Sequence, residues 1–269
     1  MPELPEVEVV RATLEAKLCG KTIVGIDCYY QPIIEEYDDF IKNVLHQTIL
    51  EVRRFAKYLI FVLKDGAIIS HLRMEGKYFY TSEDTPIKKH QHVVFHFDNG
   101  DKLIYQDVRK FGRMVYKPLG LLYTTPPLSC LGMEANNPNY DINTLYRMLH
   151  QRRIPIKTVL LDQGFISGLG NIYVDEVLCK SHISPLREAN KISQAELESI
   201  LKSSQSILSQ AIEHKGTTIR SYTSSLGVTG NYQSYLLVHT KTICPFCKNN
   251  LTKVKIGGRT SYFCKDCQR

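Results

Sequence analysis

Hydrophobic and polar positions follow two rhythms along this chain. Between residues 21 and 116, short apolar runs alternate with turn residues: runs 58–63 and 67–72 flank Lys64-Asp65-Gly66, and runs 93–97 and 102–105 flank Asp98-Asn99-Gly100. Such turns tolerate positive φ, so each pair predicts a hairpin, and the stretch predicts an antiparallel β-sandwich or flattened barrel. After a break at 118–138, rich in proline, glycine and asparagine, the spacing predicts helices at about 141–152, 156–163, 171–181 and 193–214. The last is the best marked: Ser193 and Glu196 have capping-box spacing, Leu197, Ile200, Leu201, Ile207, Leu208 and Ile212 form one stripe, and Gly216 supplies a stop. One more helix is predicted at the chain start, with Val7, Val10, Leu14 and Leu18 on one face and Gly20 as its end.

Composition narrows the class. With 269 residues, 43% of them hydrophobic, the chain can bury a substantial core in one large domain or two modest ones. No apolar run approaches the roughly 20 residues of a membrane span, and the acidic N-terminus lacks the order of a signal peptide, so a cytoplasmic protein is expected. Lys+Arg of 34 against Asp+Glu of 27 gives a net +7, which fits a basic face for a polyanion. Of the eight cysteines, Cys19, Cys28, Cys130 and Cys179 are scattered, as buried free thiols would be. Cys244, Cys247, Cys264 and Cys267 form two C-x-x-C pairs separated by 16 residues, which predicts a structural zinc site of four thiolates. Residues 251–263, with Gly257-Gly258 at their centre, predict a zinc-held hairpin carrying Arg259 at its tip.

Two further stretches carry candidate chemistry. Pro2 is followed by Glu3, Glu6 and Glu8. These suit the start of a helix, yet removal of Met1 would expose a secondary amine able to attack an aldehyde-like carbon, and an α-amine is less basic than lysine by about 2.5 pKa units. Ile166-Ser167-Gly168-Leu169-Gly170-Asn171 is a glycine-rich turn entering a helix, where backbone N–H groups can hold a phosphate.

The opening Met-Pro-Glu-Leu-Pro-Glu-Val-Glu, the 162–176 stretch and the paired cysteines together make the chain resemble the formamidopyrimidine-DNA glycosylases, bifunctional repair enzymes that excise oxidised purines. The resemblance implies an α+β multidomain fold: residues 1–131 an N-terminal β-sandwich with the catalytic helix, 132–218 a helix-two-turn-helix domain, and 219–269 a lesion loop and zinc finger, with double-stranded DNA held in the cleft between domains. It implies that Pro2 attacks the sugar C1′, that Glu3 assists ring opening or base loss, that Glu6 supports the site, and that Lys57 contacts phosphate and takes part in strand cleavage. His71 and Asn171 are implied at DNA phosphate and His90 and Arg152 at DNA, with Glu75, also implied in DNA binding, in the same Met74-Glu75-Gly76 stretch. Met74, Arg109 and Phe111 are implied to fill the hole left by an extruded base. Arg259 would bind the lesion phosphate and assist the last elimination, and residues 217–230 would close on the extruded purine. The chain departs from the family pattern at Val238-His239-Thr240-Lys241 and Gly258-Arg259-Thr260-Ser261.

The resulting expectation is a monomeric, bacterial cytoplasmic enzyme, associated with the nucleoid through DNA, with one structural Zn²⁺, that removes 8-oxoguanine and formamidopyrimidines and then carries out β- and δ-elimination. The alternatives are an endonuclease VIII-type glycosylase for oxidised pyrimidines and a non-catalytic zinc-dependent DNA-binding protein.

Overall fold

The computed structural model describes residues 1–83, 86–217 and 230–269. They form two compact units, Met1–Ser129 with Thr217 and Gly230, and Cys130–Gly216 with Asn231–Arg269. Among the described residues no helix is long and apolar enough to cross a membrane.

The first unit runs α1 (Leu4–Leu18), β1 (Ile23–Cys28), α2 (Tyr37–Val44), β2 (Glu51–Phe55), β3 (Tyr58–Val62), β4 (Gly66–His71), β5 (Lys77–Thr81), β6 (Gln91–Phe97), β7 (Lys102–Gln106) and β8 (Arg113–Pro118). Two antiparallel four-stranded sheets result, in the orders β1-β6-β7-β5 and β2-β3-β4-β8. Both expected hairpins are present, with Val62 opposite Ala67 and His96 opposite Lys102. The core contains Phe61, Ile68 and Met114 from one sheet, Tyr78, Phe95, Leu103 and Tyr105 from the other, and Val7, Val10, Leu14 and Leu18 from α1. Each such side chain contributes about 1.5–3 kcal/mol by leaving water. Helix α2 was not anticipated within the strand-rich region. It enters from Glu36 in the left-handed region at φ 51° without a side-chain cap, so the capping residue that usually marks a helix start is missing and only Asp38 and Asp39 in its first turn signal it.

The second unit contains β9 (Met133–Glu134), α3 (Ile142–His150), α4 (Ile156–Leu161), β10 (Ile166–Ser167), α5 (Asn171–Lys180), α6 (Gln194–Glu213), β11 (Thr252–Ile256) and β12 (Arg259–Phe263). Every helix lies where the spacing put it. At α6 the expected capping box is formed, Glu196 Oε2 accepting from Ser193 N–H at 2.8 Å and Ser193 Oγ from Glu196 N–H at 3.3 Å. The glycine-rich stretch 166–171 opens with the two-residue strand β10, which pairs in parallel with β9. Close approach allows this, since a Cβ on Gly132 would meet the Phe165 carbonyl oxygen at 2.4 Å. Strands β11 and β12 pair with Ile256 opposite Arg259 across Gly257-Gly258, both glycines at positive φ (55° and 76°), as a two-residue hairpin turn requires.

Candidate active site and nucleic-acid interface

The chain start is buried. Pro2, Glu3 and Glu6 are all sequestered, and Glu6 serves two segments at once: its Oε2 accepts from Glu3 N–H at 2.9 Å, and its Oε1 accepts from Thr217 N–H at 2.8 Å and Thr217 Oγ1 at 3.1 Å. Glu6 thus holds the first turn of α1 to the residue at which the 217–230 stretch begins; residues 218–229 lie outside the described residues. Burial holds the Met1 amine below its ordinary proton affinity, Glu3 and Glu6 oppose this, Lys57 adds to it and Glu75 opposes it. The electrostatics therefore bring Glu3, Glu6, Lys57 and half-buried Glu75 around the chain start.

Lys57 follows Ala56, which has φ 51°, in the β2–β3 turn and is only 4% exposed, unlike a strand-end lysine in solvent. The turn is fixed by Arg54, whose Nη1 donates to Ala56 O at 3.0 Å while its Nε donates to Glu8 Oε2 at 2.8 Å. Sequence reasoning did not single out Arg54 and Thr217; neither carries a local motif. His71 closes β4 and is buried, edge-on to Tyr58 with ring centroids 4.5 Å apart. Burial, with Arg73 and then Lys57, lowers its pKa to about 3. Its Nδ1 accepts from Arg73 N–H at 2.9 Å, so the neutral ring carries its proton on Nε2 and acts there as a donor. On the sheet face opposite the core a cavity of about 340 Å³ opens, walled by His71, Arg73, Arg113 and Lys117 and bordered by one carboxylate, Glu35.

Met74 and Phe111 are exposed (37% and 46%), as is Arg109, whose guanidinium lies over the Phe111 ring at 4.7 Å. His90, half-buried at φ 70°, accepts on its carbonyl from Asp107 N–H at 3.0 Å. Asp107, also not singled out, is fully buried and accepts from the backbone N–H groups of Arg109, Phe111 and Gly112.

In the second unit Asn171 opens α5 just after the glycine turn. Its Nδ2 donates to Thr260 O at 2.9 Å, beside exposed Arg259, while its Oδ1 is buried with no partner among the described residues. A network behind it ties α4, α5 and β12 together: Lys157 Nζ donates to Asp175 Oδ1 at 2.6 Å and to Thr260 O at 3.2 Å, and Asp175 Oδ2 bonds His239 Nδ1 at 2.8 Å and Tyr262 N–H at 3.3 Å. Glu176 accepts from the N–H groups of Leu237, Val238 and His239; desolvation raises its pKa. Arg152, expected at DNA, holds Asp162 at 2.6 Å and lies over Phe165.

The four paired cysteines converge. Their sulfurs lie within 4.8 Å of one another, with Cys247 and Cys264 3.5 Å apart and Cys244 and Cys267 3.8 Å apart, and all four are free thiols, so this cluster could hold a metal ion.

Comparison with known proteins agrees with this layout. Residues 1–114 match the formamidopyrimidine-DNA glycosylase N-terminal domain and residues 131–223 its H2TH domain. A formamidopyrimidine-DNA glycosylase of Oceanobacillus iheyensis is 42% identical, covering 100% of this chain and 98% of the relative, and one of Streptococcus pneumoniae is 42% identical, covering 100% and 99%. Crystal structures of the Lactococcus lactis glycosylase, with Fapy-dG DNA in one and with abasic-site DNA in another, superpose with a TM-score of 0.93 over both full chains at 37% and 38% identity. The chain therefore belongs to the formamidopyrimidine-DNA glycosylase family and is a DNA glycosylase for oxidised purines that acts in repair.

Proposed function

We propose that Pro2, freed by removal of Met1, attacks C1′ of the lesion nucleotide in double-stranded DNA, so that the glycosidic bond breaks, the oxidised purine departs and the sugar opens into an iminium on Pro2. The observation that carries this is the burial of Pro2 at the chain start beside buried Glu3 and Glu6, since burial disfavours a positively charged amine. Glu3, buried beside it, supplies the proton for ring opening or base loss, and Glu6 keeps the first turn in place. The iminium acidifies the adjacent sugar carbon, so β- and then δ-elimination expel the two phosphates; Lys57 serves in proton transfer and Arg259 in binding the lesion phosphate.

Binding of DNA follows the same logic. His71 donates from Nε2 to a phosphate as a neutral ring, in a cavity whose other walls carry three cations. Asn171 keeps its second amide hydrogen for phosphate at the start of α5, while Arg152 and His90 border the backbone. Met74, Arg109 and Phe111 fill the space of the extruded base, and their exposure on a protein surface suits that task. Zinc fits the cysteine cluster: a tetrahedron with metal–sulfur bonds of about 2.3 Å has sulfur–sulfur edges of about 3.8 Å, close to the 3.5 and 3.8 Å separations. Cys244, Cys247, Cys264 and Cys267 would hold the ion, which braces the hairpin that presents Arg259.

Borohydride trapping on duplex DNA carrying 8-oxoguanine tests this reading. A covalent adduct mapping to Pro2 is expected, and a protein whose terminus is blocked should bind the DNA but neither excise nor trap. Full excision by a protein shown by mass to carry a blocked terminus would overturn it.

A further inference from the structure

We propose that Asp107 is the positioning residue of the wedge, and that it sets the chain's discrimination between bases opposite the lesion by holding Arg109 and Phe111 at a fixed height; this rests on the reading of those two as the inserted residues. The wedge side chains Arg109 and Phe111 stand on the protein surface. Phe111 is 46% exposed and Arg109 is exposed too, with the guanidinium lying over the Phe111 ring. What is held is the backbone beneath them, and one carboxylate holds it.

Asp107 Oδ1 accepts from Arg109 N–H at 3.0 Å, and Oδ2 accepts from Phe111 N–H and Gly112 N–H, each at 2.8 Å. Tyr105 OH adds a longer contact of 3.5 Å to Oδ2. Three backbone donors from one short loop surround a fully buried carboxylate, so the arrangement resembles an anion nest in which the anion belongs to the protein and the loop is its ligand. Such charge-assisted bonds are roughly twice as strong as neutral ones. Main-chain bonds fix Asp107 in turn: its N–H donates to His90 O at 3.0 Å, and its carbonyl accepts from His92 Nε2 at 2.8 Å and from Lys110 N–H at 3.3 Å. The His90 loop and the wedge loop therefore hang from the same residue. Gly112 completes the arrangement, because a Cβ there would lie 1.7 Å from the Tyr105 hydroxyl, so the loop is pressed against that ring.

The chemistry requires a carboxylate. Asparagine has the same shape but only one acceptor, and its NH₂ would face N–H donors on the other side, so at least one of the three bonds is lost and the loop shifts. A guanidinium that reads a partner base by directed hydrogen bonds loses that reading on a displacement of about an ångström.

The experiment compares single-turnover excision of 8-oxoguanine opposite cytosine and opposite adenine for the wild type, Arg109→Ala, Asp107→Asn and the double variant, with thermal unfolding of each. Arg109→Ala should lower the cytosine-to-adenine ratio on the order of tenfold, the scale of one good base contact. Asp107→Asn should lower it nearly as far, and the double variant no further, while unfolding stays cooperative. An unchanged ratio in Arg109→Ala would sink the wedge reading itself. If Arg109→Ala lowers the ratio but Asp107→Asn slows both duplexes equally, or if the two effects multiply, Asp107 is a structural residue only and the inference is overturned. Should Asp107→Asn fail to fold, hydrogen exchange on the wild type decides: slow exchange at the Arg109, Phe111 and Gly112 amides supports the strut, and free exchange at them removes it.

Discussion

Buried charge is handled differently in the two units. In the second, Lys157 and Asp175 have no exposed side-chain surface and lie 2.6 Å apart, with Thr260 O, His239 Nδ1 and Tyr262 N–H on their remaining valences. That is what burial of an ion pair demands, since desolvation is offset only when every lone pair and proton finds a partner. The result is a brace behind Asn171 and Arg259. In the first unit, burial instead lowers the basicity of the Met1 amine and of His71, with Lys57 adding to both shifts. Pairing makes a support; an environment hostile to positive charge leaves an amine and an imidazole that give up their protons readily. The same low-dielectric interior yields a braced ion pair in one place and lowered proton affinity in the other.

The contrast can be broken first at Glu3. Glu3→Gln should slow base removal by about 10²–10⁴-fold, the usual worth of a positioned proton donor, while a pre-formed abasic site is still cleaved and stability changes little. Equal losses on lesion and abasic duplexes would show that Glu3 is not the group that assists base departure. Lys157→Met should do the opposite. It leaves Asp175 buried without its cation, so denaturant unfolding should show a loss of about 3–5 kcal/mol; a variant as stable as wild type would mean the pair is not a brace.

His71 sharpens the comparison at smaller scale. Its pKa is about 3 when folded, against 6.5 ordinarily, so below about pH 6.5 the unfolded chain takes up a proton that the folded chain refuses. Stability should therefore fall as the pH drops from about 6.5 toward 3, by at most about 1.4 kcal/mol per unit from this group, and His71→Gln should flatten that limb. The smallest effect concerns salt. Lys57→Ala and Arg259→Ala should each reduce the slope of log affinity against log salt by about one, whereas His71→Ala should weaken binding with the slope unchanged, because a neutral ring displaces no counterion. A reduced slope in His71→Ala would show that the ring binds DNA as a cation.

The sequence by itself determined the elements whose signals are local. Helix α6 was legible because a capping box, a stripe at helical spacing and Gly216 at φ 76° all act within a turn or two of the residues they govern. The two hairpins at Asp65-Gly66 and Asn99-Gly100, and the cysteine spacing, were legible for the same reason. The amine chemistry open to Pro2 and the place of Arg259 at a hairpin tip were legible from the residues, but their roles on DNA, and Lys57 altogether, came only through the family resemblance, since nothing near a lysine between two strands distinguishes a buried group from a solvated one. Tertiary structure alone decided the rest. Lys157 and Asp175 lie 18 residues apart on different helices and read as two surface charges until the fold removes both from water. Asp107 reads as an ordinary turn acid until the Tyr105 ring and three backbone N–H groups close around it. His71 changes from a candidate cation into a neutral donor only when burial and two neighbouring cations make its proton too costly to hold. Proton affinity depends on what surrounds a group in space, and the order of residues fixes those surroundings only by way of the fold.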